Sequence, residues 1–419
     1  NRWRGLFIIN RKKDDRTRER FDLNENNQKD IFLNTFNQYE EEIFRTSYSL
    51  NLSQNQDLEF GVERAQTTLE SSLRLGLLPD GSMASEFGGL TPANSSNAVV
   101  QEVRYEGFAI HNWQFNDRMS LESTLIYEES TIKQSGDISK ERDFSFIRPK
   151  VDYRFDITPA LQLRATIEKD VAQLSFNDFT ANIPPIGDDD QNTFAGNPDI
   201  RQEQSWRYDL NLEYRFDEDN GVINTNIYYQ DLEDLIDRVD VSTSTVLQSA
   251  NGNIGDGKRH GGSVDSSYRL SSFNLPQLLL TARLELVNGS ATDPFLNIER
   301  PLQRQGKGSY RYGFRYDMGS RNISYGVNFS GTFDGDQVVY DIDKIEDYYM
   351  EDFIMAFLEL QGWGGLIYRF EATNPHEQYR CRIRTRYTGG TIATGSLSEI
   401  EDSCSHAGEK YAIKIRGTF

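Results

Sequence analysis

Trp206-Arg207-Tyr208-Asp209-Leu210-Asn211-Leu212-Glu213-Tyr214-Arg215-Phe216-Asp217 alternates without a break between apolar and polar residues. Successive side chains of an extended chain point to opposite faces, so Trp206, Tyr208, Leu210, Leu212, Tyr214 and Phe216 share one face. The other face carries Arg207, Asp209, Asn211, Glu213, Arg215 and Asp217. Residues 151–157, 161–168, 310–317 and 410–419 repeat the pattern. A soluble sandwich also alternates, but it would have to leave so heavily charged a face in water.

Connection lengths choose between water and lipid outside the apolar face. About 16 strands can be read, beginning near Trp3, Phe44, Leu58, Val103, Met119, Phe144, Leu161, Trp206, Val222, Gly262, Leu278, Tyr310, Ile323, Phe353, Leu366 and Lys410. Short connections fall at 53–57, 116–118, 156–159, 217–221, 272–277, 317–322 and 361–365. Long polar ones fall at 12–38, 76–97, 176–203, 239–257 and 289–306. Tight turns on one rim and large loops on the other predict an all-β, antiparallel transmembrane barrel. Trp3, Trp113, Phe115, Phe155, Tyr214, Phe216, Tyr316, Trp363 and Phe419 gather at the short-turn rim as an aromatic girdle.

Composition narrows the function. Forty-five Lys+Arg against 65 Asp+Glu leave a net charge of −20, which excludes phosphate tracking along nucleic acid. Hydrophobic residues are 37% of the chain, with no run of about 18 that could cross a membrane as a helix. Aromatics at 12% are too many for a disordered acidic chain. His111, His260, His376 and His406 are scattered without ligand spacing, and neither HExxH nor GxSxG occurs. Ser405 and His406 are adjacent, and neighbours on a strand point apart, so no enzyme chemistry is expected.

Three stretches resemble the TonB-dependent receptors of the bacterial outer membrane. Residues 195–203 (AGNPDIRQE) are similar to the family's GNPDLKPE stretch, which leads from a large external loop into a descending strand. Residues 163–172 resemble the strand before that loop, although Gln173-Leu174 stands where the family has Arg-Pro. Residues 370–374 (FEATN) are similar to the penultimate strand, and Phe419 supplies the terminal aromatic that ends such a barrel. The resemblance covers residues 1–419 as the C-terminal part of a barrel of roughly 22 strands, without the plug that fills such a lumen. It implies an outer-membrane transporter that takes up a scarce ligand, a siderophore, vitamin or oligosaccharide. Its partners would be membrane lipid, lipopolysaccharide, the ligand, and TonB through an N-terminal region that these residues do not match. The chain opens on Asn1 with no apolar leader, so a processed or cut N-terminus is expected. The rival readings are a plugless passive channel closed by 16 strands and, from another class, a soluble β-rich binding protein.

Four groups of residues are singled out. Asp188, Asp189 and Asp190, with Phe194, sit in the largest external loop as candidate ligand contacts; the acidic run could hold Ca2+, as could Asp334, Asp336, Asp341 and Asp343, or be solvated loop tips. Pairing Phe419 with Leu366 sets Cys381 directly opposite Cys404, within reach of a disulfide, against which stand two free thiols. Arg380, Arg382, Arg384 and Arg386 form a cationic stripe at period two. It could meet lipopolysaccharide phosphates, turn into the lumen at a bulge near Pro375, or pair with carboxylates on neighbouring strands.

Overall fold

The computed structural model describes residues 1–23, 27–77, 83–180, 196–244, 246–333, 337–376 and 378–417. It is a sheet of antiparallel strands joined in chain order. The first strands are long: β1 (Arg2–Asp22), β2 (Gln28–Ser53), β3 (Gln56–Leu77), β4 (Thr91–Asn116), β5 (Met119–Gly136) and β6 (Lys140–Asp156). Next come β7 (Leu161–Val171), β8 (Gln204–Arg215), β9 (Gly221–Glu233), a separate hairpin β10 (Ile236–Asp240) and β11 (Ser249–Asn253), then β12 (Gly257–Leu270) and β13 (Leu275–Thr292). The remainder are β14 (Glu299–Pro301), β15 (Gly308–Met318), β16 (Ile323–Thr332), β17 (Gln337–Tyr340), β18 (Lys344–Met350), β19 (Phe353–Gln361), β20 (Ile367–Thr373), β21 (Gln378–Thr388), β22 (Ser396–Ala407) and β23 (Lys410–Arg416). Sixteen of these make the wall, which also takes in three-residue β14. β17, β18, β21 and β22 form a second sheet at the long-loop end.

The faces fall as the alternation predicts. Tyr208, Leu210, Leu212 and Tyr214 are 39–47% exposed, the surface a lipid-facing wall presents. Inward residues neutralise one another across strands: Glu359 takes Arg315 at 2.8 Å and Arg369 at 2.9 Å, and Arg148 reaches Glu128 at 2.9 Å. All seven short connections are turns, and two close through an asparagine in the left-handed region, Asn274 (φ 59°) and Asn322 (φ 55°). Trp113 and Phe115 lie 4.2 Å apart at that rim, and Tyr214 and Phe216 5.1 Å apart. Phe419 lies outside the described residues.

Two expectations change. Residues 12–38, read as a loop, are mostly the upper parts of β1 and β2, which run paired from Arg2↔Ser49 to Asp22↔Gln28. Strands beyond the hydrocarbon no longer need an apolar outer face, so the alternation that marks them in lipid is lost. The first and last wall strands, β1 and β23, are not paired with each other among the described residues, so the sixteen strands do not close as the passive-channel reading requires.

Candidate functional site: an external collar over a charged lumen

The external segments are fastened to one another as a collar. Its base is a small core: Leu174, Phe176 and Phe179, from the connection after β7, pack with Ile200 against Leu69, Val100 and Ile132 on the inner faces of β3, β4 and β5. Gln134 on β5 donates to the Phe179 carbonyl at 2.9 Å, and Tyr39 on β2 donates to Asn177 at 2.8 Å.

The GNPDIRQE segment is the clasp. Asn197 donates its backbone N–H to the Asp178 carbonyl at 2.7 Å and its side-chain amide to the Asn251 carbonyl on β11 at 2.9 Å. Arg142 on β6 donates to the carbonyls of Pro198 and Ile200. Asn253 on β11 accepts from the Arg201 N–H and donates to the Arg201 carbonyl. Glu203 accepts the N–H of Ile236 at 3.1 Å, where β10 begins. Gly196 is required because a Cβ there would lie 2.3 Å from the Phe179 carbonyl oxygen. Burial raises the carboxyls of Glu203 and Asp178 above their ordinary values, the hydrogen bond from Asn251 opposing the shift at Asp178.

The collar continues round the mouth. Arg300 is buried between Asp237 (2.7 Å) and Asp293 (2.6 Å), a triad that spacing alone does not reveal because Asp237 lies in a different external segment from the other two. Gln303 exchanges two hydrogen bonds with the backbone of Tyr340 on β17 and so joins the upper sheet to the ring.

In that sheet Cys381 and Cys404 lie opposite each other, bonded, with Cα atoms 4.1 Å apart. The register beneath them is not the one assumed: Ile367 faces Arg416, two residues away from a Leu366–Phe419 pairing. The ladder breaks at Asn374, whose φ is 49°, and β21 leaves the wall there. Three of the four stripe arginines meet carboxylates. Arg384, 1% exposed, bonds Glu346 at 2.6 Å and Glu401 at 3.3 Å; Arg382 bonds Glu401 at 2.8 Å and Arg386 bonds Glu399 at 3.3 Å. Of the alternatives above, the geometry is that of a face paired between strands, and of the four arginines only Arg380 is exposed. Asp188, Asp189, Asp190, Phe194, Asp334 and Asp336 lie outside the described residues. Asp341 is buried and accepts the N–H of Ile342. No cluster of three metal-ligating side chains occurs among the described residues.

Comparison with curated protein sequences gives no match. In fold the chain is similar to the copper transporter OprC (14% identity, TM-score 0.68, covering 99% of this chain and 62% of that one). It is also similar to the ferric yersiniabactin uptake receptor FyuA of Yersinia pestis (12%, 0.65, 100% and 59%) and the ferric citrate transporter FecA (11%, 0.64, 98% and 58%). The chain therefore spans about three fifths of the length of these structures. The family model described as TonB dependent receptor-like, beta-barrel matches residues 7–364, and the chain belongs to that family, whose members are bacterial outer-membrane proteins.

Proposed function

We propose that the chain is the wall and mouth of a TonB-dependent transporter that captures a scarce ligand outside the cell and passes it through a plugged lumen. The carrying observation is the collar. Asn197 bonds Asp178 beside the wall's inner face, so the chain on either side of residues 181–195 is held at the mouth, which suits capture of a ligand there. Asp188, Asp189, Asp190 and Phe194 are the ligand contacts in this reading. The plug and the TonB-contacting segment belong to further sequence, as do strands that would cover β1 and β23. The ligand class is that of the family: a siderophore, vitamin or oligosaccharide.

The test is uptake by cells carrying the full-length protein, against a panel of ferric siderophores, copper chelates and oligosaccharides. Saturable binding of one member that survives loss of TonB, with uptake that does not, is the expected result. Equal solute flux with and without the proton gradient, and no saturable binding, would overturn it.

A further inference from the structure

The lipid-facing side of the wall is not uniformly filled. On its outer face Tyr48 and Phe60 stand on one side and Leu125 and Tyr127 on the other, with Gly107 and Ala109 of β4 between them. Large side chains flanking two small ones leave a recess of about 560 Å3, bounded on the β1 side by Trp3, whose indole N–H donates to Thr46, and lined also by Val62. A Cβ added at Gly107 would meet nothing within 4 Å, so the depression is open space.

Its position fits a lipid of the outer leaflet. The next outward residues above it, Arg64 on β3 and its partner Tyr105 on β4, are where the apolar belt ends toward the long loops. Arg64 donates to the neutral Gln66 at 2.8 Å. The carboxylates nearby on the same face are Glu42, opposite Gln66, and Glu129, which accepts the hydroxyl of Tyr127. A half-buried cation above an apolar slot matches a phosphate above an acyl chain, and a guanidinium binds phosphate through parallel N–H donors.

We propose that this recess seats one acyl chain of lipopolysaccharide, with Arg64 on its phosphate. The site is distinct from the stripe of β21, where Arg382, Arg384 and Arg386 are occupied by carboxylates. The full-length protein, extracted from outer membranes in mild detergent, is assayed by native mass spectrometry for retained lipid. Gly107→Phe fills the slot and Arg64→Gln removes the cation. Thr225→Phe enlarges the lipid face elsewhere, between Leu212 and Val264. The expected result is bound lipopolysaccharide in wild type and Thr225→Phe, and about tenfold less in Gly107→Phe, the loss that two methylenes of buried contact would give. Arg64→Gln should keep the chain contact and lose selectivity over phospholipid. Heat-modifiable gel mobility reports that each barrel is folded. Equal retention in Gly107→Phe and wild type, equal loss in Thr225→Phe, or phospholipid in the wild-type site would each overturn the assignment.

Discussion

Phe60 and Val62 on the outer face of β3 meet lipid, whereas Thr68 and Glu70, farther up the same face, meet water. The inner face does the reverse: Glu59 and Glu63 line the lumen below, and Leu69, Leu73 and Leu75 are almost wholly buried above. One strand, with its period-two geometry unbroken, thus exchanges the polarity of its faces partway along. The solvent changes, not the backbone. Below, hydrocarbon outside and water inside call for apolar-out; above, water outside and a folded loop inside call for apolar-in. The switch runs through Arg64 and Glu129, and it marks the membrane surface on the wall.

The largest effect should come from the upper inner face. Leu69 is fully buried beneath Phe176 and Phe179. Leu69→Ala should cost about 2–5 kcal/mol of local stability, as truncation in a packed core does. Hydrogen exchange would show it as faster opening of residues 172–180, with the lower wall unchanged. Unchanged exchange in that segment would mean the upper face is not a core, and the comparison would collapse to a uniform barrel.

The outer faces sharpen it next. Leu210→Arg, in the lipid belt, should destabilise the folded protein by about 2–4 kcal/mol, whereas Asn211→Arg on the lumen side and Thr68→Arg above the switch should be nearly neutral. Urea titration of folding into vesicles measures all three. Equal penalties at Leu210 and Thr68 would place β3's upper face in lipid and move the membrane surface.

How much of this was legible follows from the same contrast. Residues 206–217 are readable because each face sees one uniform medium and the next strand repeats the pattern. The seven tight turns are readable because their chemistry is local. Residues 12–38 are not, since the strands there run above the hydrocarbon, where the outer face no longer has to be apolar and the period-two signal fades. The cysteines could be paired because an antiparallel hairpin opposes residues in order, and the pairing tolerated an error in the lower register. Arg300, by contrast, is matched by Asp237 from a different loop, and no period or spacing connects them. GNPDIRQE is legible as a family stretch, but its work as a clasp depends on carbonyls of Pro198 and Ile200 that only the folded corner brings to Arg142.

The smallest effect expected is on pH, and it should appear only above the switch. Glu203 has its carboxyl raised by burial beside β10, so the folded collar binds a proton more tightly than the unfolded segment does. Stability from this group is therefore greatest below the ordinary carboxylate value. It falls as pH rises through the window between that value and the raised one, and is lost above it. Exchange rates of amides in β10 and β11, corrected for intrinsic pH dependence, should show protection declining through that window. Glu203→Gln keeps a side-chain oxygen to accept the Ile236 N–H while removing the titration, so its protection should stay flat. Residues 206–214, facing lipid and the ion-paired lumen, should show no matching decline in either protein. A decline of the same size in Glu203→Gln would assign the proton to another group, of which Asp178, also raised by burial and bonded to Asn251 of the same hairpin, is the one to replace next.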